Sequence, residues 1–161
     1  KFAVYDYKPS ESQGMMSGSY NYNAVMDIQW PFGHGMSYTA FEYSNMTVSA
    51  SEFDSDDVLK VTVDVANVGA RAGKESVLLY SSDLYASSTP DVRRLRAFDK
   101  VELAPGEMTT VEFELSAKDL AFADYYGKWT LEKGDFILSV GNLSQKITCT
   151  ETVLWDEPNI D

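Results

Sequence analysis

Leu59-Lys60-Val61-Thr62-Val63-Asp64-Val65 alternates apolar and polar residues without a break. Side chains of an extended chain point to opposite faces in turn, so a period of two predicts a half-buried strand. Leu59, Val61, Val63 and Val65 then face inward. The same rhythm recurs further along the chain. Val111-Glu112-Phe113-Glu114-Leu115 places Glu112 and Glu114 on the solvent side, and Phe136-Ile137-Leu138-Ser139-Val140 follows the same pattern. Val77-Leu78-Leu79-Tyr80 is apolar at both parities, which predicts a central strand covered on both faces. Further strands are expected over 43–50, 98–103, 129–132 and 146–152. Asn67-Val68-Gly69, Ala72-Gly73, Pro105-Gly106, Gly127 and Lys133-Gly134-Asp135 supply turns between these runs. About seven short strands separated by turn signals predict an all-β, antiparallel β-sandwich. A single helical turn is expected at Ser116-Ala117-Lys118-Asp119-Leu120, with Ser116 as the cap and Asp119 completing a capping-box-like start.

Residues 1–40 lack this period. They are rich in Tyr, Ser, Gly, Asn and Met, and Gly14, Gly18, Gly33 and Gly35 punctuate them. The length and aromatic content predict a linker or, more in keeping with so many tyrosines, an irregular N-terminal strap laid over another surface. The expected division is a strap over 1–40, a sandwich over 41–155 and a tail over 156–161.

The 161 residues suit one domain with a tail, and 44% apolar content is that of a folding chain rather than a disordered one. The net charge of −12 disfavours binding to nucleic acid and to anionic membrane surfaces. Arg93, Arg94 and Arg96 form too short a basic cluster to change that. No apolar run approaches the roughly 20 residues needed to span a bilayer. Lys1 opens the sequence with neither an initiator Met nor a signal-peptide pattern, which fits a processed chain or an excised fragment. Cys149 is the single cysteine, has no clustered ligands beside it, and is expected to be a small core residue.

Chemistry is hard to find. Glycoside hydrolysis needs two carboxylates about 5–9 Å apart across the bond. Of the 25 acidic residues, Asp54, Asp56 and Asp57 read as a polar turn, and Glu112 and Glu114 as a solvated face. His34, the only histidine, sits between Gly33 and Gly35 and reads as a turn residue. Trp30, Trp129 and Trp155 carry planar indoles that can stack on a sugar ring or pack in the core or an interface. Asn45-Met46-Thr47 and Asn142-Leu143-Ser144 match the N-glycosylation sequon. No cofactor or metal is expected.

One stretch is more distinctive. Trp30-Pro31-Phe32-Gly33-His34-Gly35-Met36-Ser37-Tyr38-Thr39-Ala40-Phe41 resembles the Y-P-F-G-x-G-L-S-Y-T-x-F motif leading into the C-terminal domain of family 3 glycoside hydrolases. Later stretches resemble the same domain in the same order. They are VTVDVANVGARA at 61–72, ESVLLYSSD at 75–83, LRAFDKVELAPG at 95–106, LAFADYYGKW at 120–129 and the segment 133–141. The resemblance covers about residues 30–148. Trp30 replaces the usual Tyr and Met36 the usual Leu, and Arg93 and Arg94 stand where the family often has a Pro-x-K-x-L run.

The resemblance implies a fibronectin type III/immunoglobulin-like sandwich that closes a β-glucosidase or β-xylosidase type enzyme. In such enzymes a barrel supplies an Asp nucleophile and an α/β sandwich often supplies the acid/base Glu. The barrel motif has no counterpart here, so the resemblance transfers no catalytic residue, and the chain alone is expected to have no hydrolase activity. Residues 1–29 resemble, more loosely, the exit from the second catalytic domain, through Tyr5-Asp6-Tyr7-Lys8-Pro9. The implied partners are those catalytic domains, with glycan as a further candidate, and the implied location is periplasmic or extracellular. Trp30, Phe32, His34, Tyr38, Trp129 and Trp155 are the candidate interdomain or sugar contacts. If the strap is normally buried on the catalytic domains, Trp30, Phe32 and Tyr38 are expected to leave an apolar patch and some self-association. Two other readings stay open: a stand-alone carbohydrate-binding module, and a protein-interaction sandwich.

Overall fold

A computed structural model describes residues 33–88 and 91–155. Eleven strands appear among them: β1 (Phe41–Val48), β2 (Glu52–Phe53), β3 (Val58–Asn67), β4 (Gly73–Asp83), β5 (Arg94–Leu103), β6 (Met108–Ser116), β7 (Phe122–Ala123), β8 (Trp129–Leu131), β9 (Gly134–Val140), β10 (Leu143–Cys149) and β11 (Val153–Trp155). A three-stranded sheet runs β1-β3-β6, a five-stranded sheet runs β2-β10-β9-β4-β5, and a small ladder runs β11-β8-β7. The first two form the sandwich, and the third closes one end of it.

The alternating runs behave as their period dictates. Leu59, Val61 and Val63 pair across β3–β6 with Leu115, Phe113 and Val111, and all six are buried. They meet Val77 and Leu79 of β4, Phe136, Leu138 and Val140 of β9, and Ile147 and Cys149 of β10 in one core. Each such side chain contributes about 1.5–3 kcal/mol on leaving water, and a one-residue slip would expose a whole strand's set. Cys149 is fully buried, and burial pushes its thiol pKa up. β4 lies inside its sheet, one strand from the edge, with β5 on one side and β9 on the other.

The structure differs from the expected strands at their ends. β5 begins at Arg94 rather than at 98, because Arg94, Leu95 and Ala97 still pair with β4. β10 begins at Leu143, directly after the Gly141-Asn142 turn from β9. The two-residue strands β2 and β7 and the three-residue β11 are too short to show a period. β2 nonetheless brings Phe53 into the core, edge-on to Phe136 at 6.0 Å. The helical turn is a single 3-10 turn, Ala117–Leu120. Both the amide and the hydroxyl of Ser116 donate to the Asp119 carboxylate, at 2.8 and 2.7 Å.

Asn67 ties the two sheets. It is a fully buried polar residue at the end of β3. Its amide nitrogen donates to the carbonyls of Arg71 (2.7 Å) and Leu103 (2.9 Å). Its amide oxygen accepts from the Thr39 hydroxyl (2.7 Å) and the Gly69 amide (3.1 Å). Every capacity of the side chain is used, which is how a buried amide avoids its desolvation cost. A Cβ on Gly69 would run into Thr39 and Ala40, so the knot needs glycine there.

Candidate functional site

The small end ladder builds the first surface. β11 pairs antiparallel with β8 so that Trp155 stands directly opposite Trp129. Opposite residues of a ladder share a face, so the two indoles stand side by side, both half-buried. Lys118, from the 3-10 turn, reaches over Trp155 with its ammonium 5.9 Å from the ring centre. Arg94, Arg96, Asp119 and Ala121 complete a hollow of about 170 Å³.

Arg96 arrives there through a β-bulge. Across β4–β5, Leu79 faces Ala97 and Tyr80 faces Leu95, so Arg96 is the extra residue on β5. A bulge bends its strand and re-aims a side chain. Arg96 Nε donates to the buried Ser81 hydroxyl at 2.6 Å, and its terminal nitrogen to the Leu120 carbonyl at 3.3 Å. Burial pushes its pKa down to about 10, helped by Arg94 and opposed by Asp119, Asp91 and Asp83, so it keeps its charge at neutral pH. On its other side lies a second hollow of about 210 Å³, with Ser81, Asp83, Asp91, Arg94, Leu120 and Phe122 in its wall. Burial raises the Asp83 pKa, although the Tyr85 amide bound to it acts the other way. The two hollows are neighbours and share Arg94 and Arg96 in their walls.

A third hollow, of about 190 Å³, lies over the five-stranded sheet and includes Gly33, His34, Tyr43, Leu78, Tyr80 and Arg93. The Tyr43 hydroxyl donates to Glu75 at 2.7 Å, and burial, then this bond, raises the tyrosine pKa. The Arg93 guanidinium sits 4.9 Å from the Tyr80 ring centre. Gly33 has φ of 82°, and a side chain there would strike Tyr80 and Leu78. Ser37 and Thr39 lie close to Gly73. Residues 33–39 therefore run back along β4, over the sandwich itself.

The sequence candidates are thus divided. Trp129 and Trp155 come together. His34 lines the third hollow, while Tyr38 is 93% exposed and lines none of the three. Trp30 and Phe32 lie outside the described residues. Arg94, Arg96 and Lys118 were not legible as site residues. The one available signal was two arginines spaced by two just ahead of the strand expected at 98, but the bulge that turns Arg96 inward exists only in the β4–β5 pairing. The candidate carboxylates sit apart from these hollows. Glu112 and Glu114 flank Lys60 at 3.1 and 3.3 Å on the outer face of the three-stranded sheet. Asp54 accepts from the Asp56 amide, and Asp57 from the Asp54 amide, within a polar turn.

The family of fibronectin type III-like domains matches residues 75–144. Thermostable β-glucosidase B of Acetivibrio thermocellus is 38% identical over 151 residues, which is 92% of this chain and 20% of that protein. The lysosomal β-glucosidase of Dictyostelium discoideum is 41% identical over 133 residues, 76% of this chain and 16% of that one. Among solved structures, a β-glucosidase of Erythrobacter marinus superposes with a TM-score of 0.76 at 35% identity, covering 91% of this chain and 19% of that chain. The chain therefore spans a fifth or less of the length of these relatives while aligning over most of its own. It belongs to the fibronectin type III-like sandwiches of family 3 β-glucosidases.

Proposed function

We propose that this chain is the non-catalytic, C-terminal stabilising domain of a β-glucosidase-type enzyme that hydrolyses O-glycosidic bonds in carbohydrate metabolism. The observation that carries this reading is the lopsided coverage: 92% of this chain corresponds to 20% of a β-glucosidase. A segment that aligns nearly whole inside a far longer enzyme is one module among several. Its partners are the catalytic domains of that enzyme, and its place is the periplasm or the exterior, a reading supported by the name of the periplasmic β-glucosidase of Salmonella typhimurium, 35% identical over 118 residues.

The outer face of the five-stranded sheet suits the docking. Phe98 is 72% exposed there, opposite Leu78 in the ladder. Tyr38 and Met36 of the segment crossing the same sheet are more exposed still. Covering such groups returns roughly 25 cal/mol per Å² of apolar area before the costs of association. A dock of this kind stabilises the enzyme and contributes no group to bond cleavage.

A hybrid enzyme tests it. The matching segment of the Acetivibrio β-glucosidase is deleted, then replaced by residues 1–161 of this chain. Deletion is expected to lower the melting temperature and the soluble yield, and replacement to restore both. The isolated chain should not turn over an aryl β-glucoside. Turnover by the chain alone, or a hybrid no more stable than the deletion, would refute the proposal. The latter outcome would favour a free-standing binding or interaction module.

A further inference from the structure

We infer that the paired hollows around Arg94 and Arg96 form an accessory binding groove for a neutral oligosaccharide, with Trp129 and Trp155 as its stacking platform. The inference concerns a site and a ligand that the stabilising role does not require. Four observations carry it.

Trp129 and Trp155 are register partners on one face of the end ladder, and both line the hollow. Both are half-buried, so they are held in place yet reachable. A pyranose ring presents a face of C–H groups that suits such a surface, and the rim of hydroxyls around it needs planar donors and acceptors. Secondly, the walls supply these in balance: Arg94, Arg96 and Lys118 as donors, and Asp83, Asp91 and Asp119 as acceptors. Three cations against three carboxylates leave the groove near neutral, within a chain of net charge −12. A polyanionic ligand would meet those carboxylates and the field of the whole protein.

Thirdly, Arg96 is fixed before any ligand arrives. The bulge, the Ser81 hydroxyl and the Leu120 carbonyl hold it, so little ordering cost remains for it on binding. Finally, the two hollows are neighbours that share Arg94 and Arg96 in their walls, a spacing that suits a ligand of two or more linked rings. The Trp pair would seat one ring, and the hollow walled by Phe122, Ser81 and Asp83 the next. Fast, weak, multi-ring binding of this sort would keep a polymeric or oligomeric glucan close to the enzyme that trims it.

Calorimetric titration of the 161-residue chain with cellotetraose, xylotetraose, maltotetraose and the anionic tetragalacturonate is the test. Only the inclusion of β-linked probes rests on the parent-enzyme reading. At least one neutral tetraose is expected to bind saturably, and more tightly than tetragalacturonate. Trp155→Ala and Trp129→Ala should each weaken it about ten-fold or more. Should either variant fail to fold, Arg94→Ala and Lys118→Ala, on side chains the core does not use, should still weaken binding several-fold with an unchanged melting temperature. Absence of heat with every neutral sugar overturns the inference. So does tighter binding of tetragalacturonate, or binding indifferent to all four substitutions. The hybrid enzyme's stability reads the docking role separately, so the two can fail independently.

Discussion

The two outer faces of the sandwich are built from the same alternating strands and come out opposite in character. On the three-stranded sheet, Lys60, Thr62 and Asp64 alternate with the core residues of β3 and are met by equally polar neighbours. Lys60 pairs with Glu112 and Glu114, Thr62 bonds Thr47 at 2.7 Å, and Asp64 accepts from Asn45 and Thr110. These bonds to Thr110 and Asn45 lower the Asp64 pKa. On the five-stranded sheet, the outward positions include Leu78, Tyr80 and Phe98; the segment 33–39 runs along β4 beside Leu78 and Tyr80 and leaves Phe98 exposed. One face is finished with water as its solvent. The other presents apolar groups that water alone does not cover, which is the mark of a surface shaped for contact. The lesson is that an exposed face carries information in its partners, not in its exposure.

The harshest way to test that contrast is to unfasten the sheets that hold the faces apart. Asn67→Ala strands the buried Leu103 carbonyl and deprives the part-buried Arg71 carbonyl and Thr39 hydroxyl of their partner, and is expected to cost about 3 kcal/mol. Urea unfolding measures it, and a loss below 1 kcal/mol would mean the amide knot is not what joins the sheets. The next effect separates the faces directly. Phe98→Asp should change the isolated chain by no more than about 0.5 kcal/mol, since its ring is mostly in water. In the hybrid enzyme the same substitution should cost about 1–2 kcal/mol, as a buried aromatic does. Thr62→Asp, on the polar face, loses the bond to Thr47 and faces Glu112, but should cost the hybrid no more than it costs the isolated chain. Equal effects from the two faces would erase the comparison.

A smaller effect depends on pH. Lys146 at 2.6 Å and Thr148 at 2.8 Å hold the Asp135 pKa below its usual value. A carboxylate depressed in the folded state stabilises above its unfolded pKa of about 3.9, and that contribution fades as pH falls through the folded value. Asp135→Asn should therefore lower the melting temperature at neutral pH and converge on the parent in acid. A difference that persists at the lowest pH would assign the loss to packing instead. Smallest of all is Lys60→Ala. Its two ion pairs are exposed, so the shift in the unfolding midpoint should appear at low salt and vanish at physiological ionic strength.

What the sequence determined by itself is the sandwich and its inward faces. Val61-Thr62-Val63 and Glu112-Phe113-Glu114 can satisfy only a period of two, and burial of one parity follows from that alone. The motif at 30–41 and the five that follow it also carried the family, because their order and spacing are specific. The tertiary structure decided the rest. Phe53 enters the core because β2 finds β10 across nearly a hundred residues, and two residues cannot announce a strand. Asn67 reads as a turn residue until the fold surrounds it with two carbonyls. Trp129 and Trp155 were legible as indoles but not as a pair, since their opposition is fixed by the β8–β11 register. Arg96 turns inward only because β4 and β5 pair with one residue to spare. Periodicity is a local property of a chain and survives in one dimension. Register, bulges and the meeting of distant side chains are relations between strands, and they come into being only when the strands pair.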